Sequence, residues 1–233
     1  KLWKQKRYKA LSSDIYFKNK YQNLKNESNK EVELRPGIGE VKVEWNSDNS
    51  PLKQEEIMQL SNEELSNFIL EFKPTNNWDA PTHEGLARNV NAIAQRDPDK
   101  FIENLEPFLK VGYIYIYNLL SGITKAWKNK TIINWNKLFN FIKKYLDQDG
   151  FWNDEFKVAG DQWNFSYLSV IGQLGLLIQA GTNNDDWAFE TKYINCAASI
   201  LFKSIDNLEK EDMFNDEAVT KSINTAFGKV TEA

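Results

Sequence analysis

The chain is poor in the residues that most enzymes use for nucleophilic catalysis and metal binding. Its 233 residues include one cysteine, Cys196, and one histidine, His83. A single cysteine excludes an intrachain disulfide and a zinc site built on cysteines. A single histidine excludes sites that need two different histidines, and with them much of metal and acid–base chemistry. The sequence therefore predicts no metal site and no catalytic residues, and its cysteine usage is typical of a reducing cytoplasm.

Long hydrophobic runs are also missing. No stretch approaches the roughly 18 uncharged apolar residues that a membrane-spanning helix needs. The longest apolar block, Leu168 to Ala180, is interrupted by glycine, serine and glutamine. Residues 1–30 lack the apolar core of a signal peptide. Because the chain begins at Lys1 rather than at methionine, we expect a fragment of a longer protein or a processed form.

Neither common nucleotide-binding motif occurs in the chain. There is no Walker A sequence and no GxGxxG sequence. The segment from Arg35 to Gly39 has two glycines, but it lacks the Lys-Ser/Thr pair that binds phosphate. We therefore predict no cofactor.

Charge is distributed unevenly along the chain, although the net charge is only −4. Residues 1–30 contain nine Lys or Arg and two Asp or Glu, whereas the other 203 residues contain 20 and 31. An acidic body is a poor electrostatic partner for nucleic acid. Only the basic N-terminal arm could bind nucleic acid or an anionic surface.

Hydrophobic spacing predicts helices over most of the chain. The arm shows i, i+4 spacing through Trp3, Arg7, Leu11 and Ile15, which predicts one basic helix within residues 1–30. Helix starts are predicted at Ser50-Pro51, at the capping box Ser61 to Glu64, at Thr82 and at Asp97-Pro98. After Asp97-Pro98 we expect inward-facing Phe101, Ile102, Leu105 and Phe108.

The second half of the chain repeats this helical pattern. Tyr113 to Tyr117 alternates like a strand, but helical spacing continues over four turns to Trp127 and favours a helix. An apolar stripe from Trp135 to Leu146 predicts another helix, and a third runs from Asn164 to Ala180, with Gly181 closing it. Gly172 and Gly175 would permit close helix packing. Further helices are expected from Trp187 to Leu208, with Ile194 facing inward, and from Asn215 onward.

One segment departs from the helical pattern. Residues 31–35 and 40–45 alternate apolar and polar residues on either side of a Pro/Gly turn, which predicts a short β-hairpin within residues 31–50. The expected fold is therefore all-α, with stacked antiparallel helix pairs at residues 51–233, in one domain spanning 1–233. An irregular HEAT-like solenoid and a closed helical bundle both satisfy this pattern.

The loop at residues 147–163 is the first candidate site. It combines Asp149, Asp154 and Asp161 with Trp152 and Trp163, which are the groups that a carbohydrate-active helical toroid would use as acid, base and stacking platform. The same residues also make an ordinary interhelical loop of turns, caps and packing tryptophans, which we favour. An EF-hand calcium loop is excluded, because its first and twelfth positions would be Tyr145 and Phe156.

Three further candidates have simpler interpretations. His83 could be a lone acid or base, but a histidine at a helix start without a partner is more often on the surface. Cys196 lies beside two alanines on an apolar helix and is expected to be a small buried hydrophobic residue. The arm at residues 1–25 interleaves basic and aromatic residues. This pattern occurs in proteins that bind single-stranded nucleic acid or membranes. The alternative is an amphipathic helix that packs its aromatic face on the rest of the protein.

The order of caps, turns and aromatic residues resembles the helical repeat region of large bacterial STAND-type NTPases. The similar segments are Ser50 to Leu52, Leu60 to Leu65, Asn77 to Ala87, Asp97 to Phe101, Ile133 to Trp135, Asp186-Trp187 and Ser222 to Gly228. The resemblance implies a HEAT/TPR-like sensor or protein-binding region. It also implies that the nucleotide-binding domain lies N-terminal to this piece, in a protein of anti-phage defence. No functional residue carries over, and the 31–45 segment has no counterpart.

We therefore predict a non-enzymatic scaffold for protein–protein interaction or sensing. Its partner would be another protein or another domain of its own parent chain, and the sequence identifies no binding residues.

Overall fold

The computed structural model describes residues 2–28, 49–75, 77, 80–160, 164–183, 186–208, 229–230 and 233. The chain divides into two compact units, Lys1–Trp45 and Asn46–Ala233. The described residues form helices and turns and contain no strand, which confirms the all-α class. The predicted hairpin at 31–45 and the helix predicted from Asn215 lie outside the described residues. No described helix is long and apolar enough to cross a bilayer.

Residues 2–28, the described part of the first unit, form two helices, α1 (Leu2–Ala10) and α2 (Ile15–Ser28), which pack against each other. The prediction of one continuous basic helix was wrong. Ser12, Ser13 and Asp14 favour turns over helix interiors. Asp14 Oδ1 accepts a hydrogen bond from the backbone N–H of Tyr16 (2.8 Å), which fixes the start of α2.

The second unit contains eight described α-helices and two 3₁₀ turns. The α-helices are α3 (Gln54–Gln59), α4 (Asn62–Glu71), α5 (His83–Arg96), α6 (Asp99–Ile102), α7 (Tyr113–Lys128), α8 (Trp135–Leu146), α9 (Tyr167–Thr182) and α10 (Ile194–Leu208). The 3₁₀ turns span Glu106–Lys110 and Thr191–Tyr193. The helix predicted for the ambiguous Tyr113 to Trp127 segment is confirmed.

The core is built around α7, which packs against α5 and also against α9. Eleven of its sixteen residues are buried, including Tyr113, Tyr115 and Trp127. On α8 the predicted stripe is buried as expected, and Phe141 is buried in addition. A helix that is buried nearly all round needs partners on several sides, and α5 and α9 are two of them.

Some predicted helix ends are confirmed. Ser61 accepts a hydrogen bond from the N–H of Glu64 (3.1 Å), and the Glu64 carboxylate accepts one from the N–H of Ser61 (2.7 Å). Thr82 Oγ1 accepts the N–H of Gly85 (3.0 Å) at the start of α5. Both caps use local hydrogen bonds only, so they could be recognised from sequence.

Other predicted helix ends were wrong because the residue that suggested the end makes a different contact in the structure. Ser50 forms a turn with Leu52, and α3 begins only at Gln54. Gly181 lies inside α9 rather than after it, where its missing side chain makes room for the ring of Phe189.

The apolar residues after Asp97 are buried as predicted, but they lie on two short elements. Pro107 has no N–H and cannot continue an α-helix, so a 3₁₀ turn follows α6. Ile194, at the start of α10, was expected to face inward, but it is half-exposed.

The α5–α7 contact depends on the absence of a side chain at Gly122. A Cβ there would collide with the carbonyl oxygen of Asn91 and lie 2.7 Å from the Cβ of Ala94. The predicted approach at Gly175 is likewise confirmed, because a Cβ there would lie 2.5 Å from the carbonyl oxygen of Lys229. Glycine therefore sets the spacing of the core, at the expense of helix propensity.

We expect Gly122→Ala to destabilise the second unit by about 1–3 kcal/mol, because overpacking outweighs the roughly 1 kcal/mol gain in helix propensity. Urea unfolding followed by circular dichroism measures the free energy of unfolding. Ser121→Ala on the same helix is the matched control and should change it by less than about 0.5 kcal/mol. A stabilised Gly122→Ala protein would show that the helices can move apart at no cost.

Candidate functional site

A cleft of about 560 Å³ lies in the second unit, within the size range of ligand pockets. The end of α4 and the residues after it form one wall, and the loop after α8 forms another. His83 at the start of α5 and Gly112 before α7 complete the lining. Its apolar lining residues are Ile69, Leu70, Phe72, Pro74, Phe156, Val158 and Ala159.

Leu70 gives the cleft an apolar surface that faces solvent. Its side chain is 50% exposed, although Ile69 beside it on α4 is buried. Phe72 and Phe156 are half-buried, and Phe156 packs against the core. A large aliphatic side chain exposed within a concave surface is a feature of binding sites more than of ordinary protein surface.

His83 lies in the wall of the cleft with its imidazole almost completely buried, at 3% exposure. Its Nδ1 atom lies 2.7 Å from the hydroxyl oxygen of Tyr115 on α7, and its ring meets Phe72 edge-on with 5.0 Å between centroids. The expectation of a surface histidine was therefore wrong. The imidazole joins α5 to α7 and supports Phe72 in the cleft wall.

A segment at residues 49–52 lies against the start of α5, next to His83 in the chain. The carbonyl oxygen of Asn49 accepts the N–H of Thr82 (2.9 Å), and that of Leu52 accepts the side-chain amide of Asn89 (2.9 Å). Gly85 makes room for the Asn49 backbone, where a Cβ would collide. The spacing of apolar residues along a helix gives no indication that such a segment packs against it. The glycine three residues after the cap was the only sequence signal for it.

The hydroxyl of Tyr115 remains a hydrogen-bond donor over the ordinary pH range. Burial raises the pKa of Tyr115 well above its usual value, and the carboxylate of Glu84 raises it further. The phenol therefore keeps its O–H, which donates to Nδ1 of His83 in the tautomer that has no hydrogen on that nitrogen. The pair satisfies two polar groups whose burial would otherwise be costly.

The rim of the cleft is basic. Lys73, Lys110 and Lys157 line it together with one acid, Glu155. Lys157 Nζ lies 2.9 Å from Asp154 Oδ2, so its charge is already balanced. Glu155 folds back towards Gly150, where a Cβ would lie 2.5 Å from its carboxylate oxygen. Within the described ranges, Lys73 and Lys110 form no ion pair, so the rim keeps a net positive charge even with the carboxylate of Glu155 on it.

The carboxylate of Asp154 has structural partners. Asp154 adopts a left-handed conformation (φ 59°), and its Oδ1 accepts the N–H of Tyr167 (3.0 Å) at the start of α9. Its Oδ2 pairs with Lys157. Asp149 is exposed on the same loop, and Asp161 lies outside the described residues. Both carboxylate oxygens of Asp154 are therefore engaged in contacts that hold the loop and the start of α9.

The aromatic residues of this loop pack inward. Phe151 is fully buried, and the indole N–H of Trp152 donates to the carbonyl of Leu146 (3.1 Å). The carbonyl of Phe156 accepts the N–H of Tyr113 (3.1 Å), which anchors the loop to α7. These bonds hold residues 155–160 as a wall of the cleft, a role that the sequence did not reveal. Trp163 lies outside the described residues.

Cys196 is half-buried and packs against the core, which is less burial than expected. Among the described residues, no group of three His, Cys, Asp or Glu side chains is placed to hold a metal ion.

Comparison of the chain with protein-family models, curated proteins and solved structures gave no match.

We expect Tyr115→Phe to lower the free energy of unfolding by about 1–3 kcal/mol, because it leaves the buried imidazole without its partner on α7. Tyr117→Phe on the same helix is the control, since no hydrogen bond of that hydroxyl occurs among the described residues, and it should have little effect. Thermal and urea unfolding measure both. Equal, small effects would mean that the His83–Tyr115 bond does not stabilise the protein.

Stability should fall as pH rises through the alkaline range. Burial raises the pKa of Tyr113 to about 12 and that of Tyr145 well above its usual value. The unfolded chain loses these protons near pH 10. The stabilising effect of the neutral phenols is therefore complete below about pH 10 and is lost as pH rises further, by about 1.4 kcal/mol per pH unit for each tyrosine.

Urea unfolding at several pH values tests this expectation. Tyr113→Phe should make the decline between pH 10 and about 12 shallower by roughly 1.4 kcal/mol per pH unit. Tyr16→Phe, at an exposed position, should leave it unchanged. Identical slopes for Tyr113→Phe and the unsubstituted protein would contradict the assignment.

Proposed function

We propose that the chain is a non-enzymatic protein-binding module whose cleft takes a peptide segment with apolar side chains flanked by carboxylates. The observation that carries the proposal is the cleft's combination of an exposed apolar lining with a net positive rim, where Lys73 and Lys110 form no ion pair. A partner of matching chemistry would satisfy both features at once.

The apolar lining residues Leu70, Phe72 and Val158 favour apolar side chains in the bound peptide. Removing apolar surface from water stabilises a complex by about 25 cal/mol per Å², so each leucine or phenylalanine that the partner buries would contribute about 1.5–3 kcal/mol. The volume of about 560 Å³ has room for two or three such side chains.

The rim residues Lys73 and Lys110 favour carboxylates on either side of those apolar side chains. Unbalanced charges at the rim of an interface speed the encounter with a partner of opposite sign and exclude partners of the same sign. Both ammonium groups are exposed, so they remain hydrated and contribute moderately to affinity.

Binding is favoured over catalysis by what the polar groups of the cleft already do. The imidazole of His83 is hydrogen-bonded to Tyr115, and the ammonium group of Lys157 pairs with Asp154 beside the cleft. None of the described residues that line the cleft is a serine, threonine or cysteine placed beside a base, as nucleophilic catalysis needs. Turnover of a small molecule by the purified chain would contradict this interpretation.

The wider setting is also part of the proposal. The placement of α7 between α5 and α9 is compatible with stacked HEAT-like pairs, and the resemblance to STAND-type NTPases suggests a cytoplasmic sensor region within a larger bacterial protein. The bound segment would then belong to a foreign protein or to another domain of the parent. An immunoblot of the endogenous protein tests this, because a STAND parent would be far larger than 27.1 kDa.

Fluorescence anisotropy with synthetic peptides tests the cleft. The probes share a Leu-Phe-Leu centre flanked by glutamates or by lysines, and a third probe has glutamates around an alanine centre. We expect the glutamate probe with the apolar centre to bind at least about tenfold more tightly than either of the others.

Two kinds of variant locate the binding site. Lys73→Glu and Lys110→Glu should each weaken binding about threefold and together about tenfold, whereas Lys128→Glu on α7 should not. Ala159→Trp should fill the cleft and abolish binding, whereas Ala188→Trp, at another exposed position, should not. Equal binding of all three probes, or full binding by Ala159→Trp, would overturn the proposal.

A further inference from the structure

The turn between α1 and α2 exposes a group of apolar side chains at one end of the helix pair. Leu11 is 48% exposed, Ile15 is 72% exposed and Tyr16 is 59% exposed. Exposed apolar residues are ordinary when they are scattered singly, but here three occur within six positions. We refer to Leu11, Ile15 and Tyr16 as the apolar tip.

The backbone of the turn is held by local hydrogen bonds. The N–H of Ser12 donates to the carbonyl of Lys9 (3.3 Å), and that of Asp14 donates to the carbonyl of Leu11 (3.1 Å). The Asp14 carboxylate then accepts the N–H of Tyr16 (2.8 Å). The apolar tip is therefore presented by a hydrogen-bonded turn.

The helix pair has its own aromatic contacts, and Tyr16 of the apolar tip takes part in them, with 5.3 Å between its ring centroid and that of Phe17. Tyr8 and Phe17 pack against each other with 5.9 Å between ring centroids, and both are half-buried, while Tyr21 is buried. Leu11 and Ile15 are both more exposed to solvent than Tyr8, Phe17 or Tyr21. Their exposure is thus unexplained by the folding of the helix pair itself.

Positive charge surrounds the apolar tip along the chain. Residues 2–28 contain seven Lys or Arg and only two Asp or Glu. Lys18 and Lys20 are exposed on the first turns of α2, and Lys20 Nζ lies 5.7 Å from the ring centroid of Tyr16. A partner that fits this surface must offer negative charge next to an apolar phase.

We propose that the apolar tip docks on an anionic phospholipid bilayer, with Leu11 and Ile15 entering the boundary of headgroups and acyl chains. Lys18 and Lys20 would lie among the lipid phosphates, and Tyr16 would lie at the interface with its hydroxyl towards water. Such binding is peripheral and reversible. It does not depend on the proposed peptide cleft, which is a feature of the other unit.

A bilayer fits the apolar tip better than single-stranded nucleic acid does. Base stacking needs exposed aromatic rings, and of Tyr8, Tyr16, Phe17 and Tyr21 only Tyr16 is strongly exposed. Leu11 and Ile15 cannot stack with bases, whereas aliphatic side chains enter a lipid phase readily. Phosphate contacts alone would leave both of them in water.

Co-sedimentation of the full chain with vesicles tests the proposal. We expect binding to vesicles of phosphatidylcholine mixed with phosphatidylserine and at least about tenfold weaker binding to phosphatidylcholine alone. Leu11→Ser with Ile15→Ser should weaken binding to the anionic vesicles about tenfold or more, and Lys18→Glu with Lys20→Glu should do the same. Ile132→Ser, at an exposed position in the second unit, and Lys128→Glu should leave it unchanged.

An environment-sensitive dye at the tip supplies a second readout. In a Cys196→Ser background, a dye on Ile15→Cys should shift its emission to the blue with anionic vesicles, while a dye on Ile132→Cys should not. A single-stranded oligonucleotide is the competing probe. Tighter binding to the oligonucleotide than to vesicles, or vesicle binding that survives Leu11→Ser with Ile15→Ser, would overturn the proposal.

Discussion

The packing of α7 is the constraint on which the second unit depends. This helix is apolar on most of its surface, so it is stable only where α5 and α9 cover it. The close approach at Gly122 sets the distance to α5, and the His83–Tyr115 bond joins the same two helices near the cleft. The position of one cleft wall relative to the other is therefore a consequence of core packing.

Local chemistry made part of this structure predictable from the sequence. The caps at Ser61 and Thr82 use side chains within three residues of their backbone partners, and the stripe on α8 needs only helical spacing. These features depend little on the remainder of the chain. The same is true of Tyr113 to Trp127, where length decided in favour of a helix over a strand.

The remaining features could not be predicted because their partners are distant in sequence. The ring of His83 contacts Phe72, eleven residues earlier, and Tyr115, 32 residues later. Gly181 has the residue type of a helix end, yet it accommodates Phe189. The cleft itself was missed for the same reason. Its basic rim joins Lys73 and Lys110, which no periodicity relates, and its second wall comes from a loop singled out for other chemistry.

The two walls of the cleft belong to distant parts of the chain, with residues 69–74 on one side and residues 155–160 on the other. A molecule bound between them would act as a clamp that links the end of α4 to the loop after α8. Ligand affinity and resistance to unfolding would then be thermodynamically linked, since a ligand that binds only the native state stabilises it. Binding of a ligand in the cleft would then slow amide hydrogen exchange in both segments, although they are far apart in the sequence.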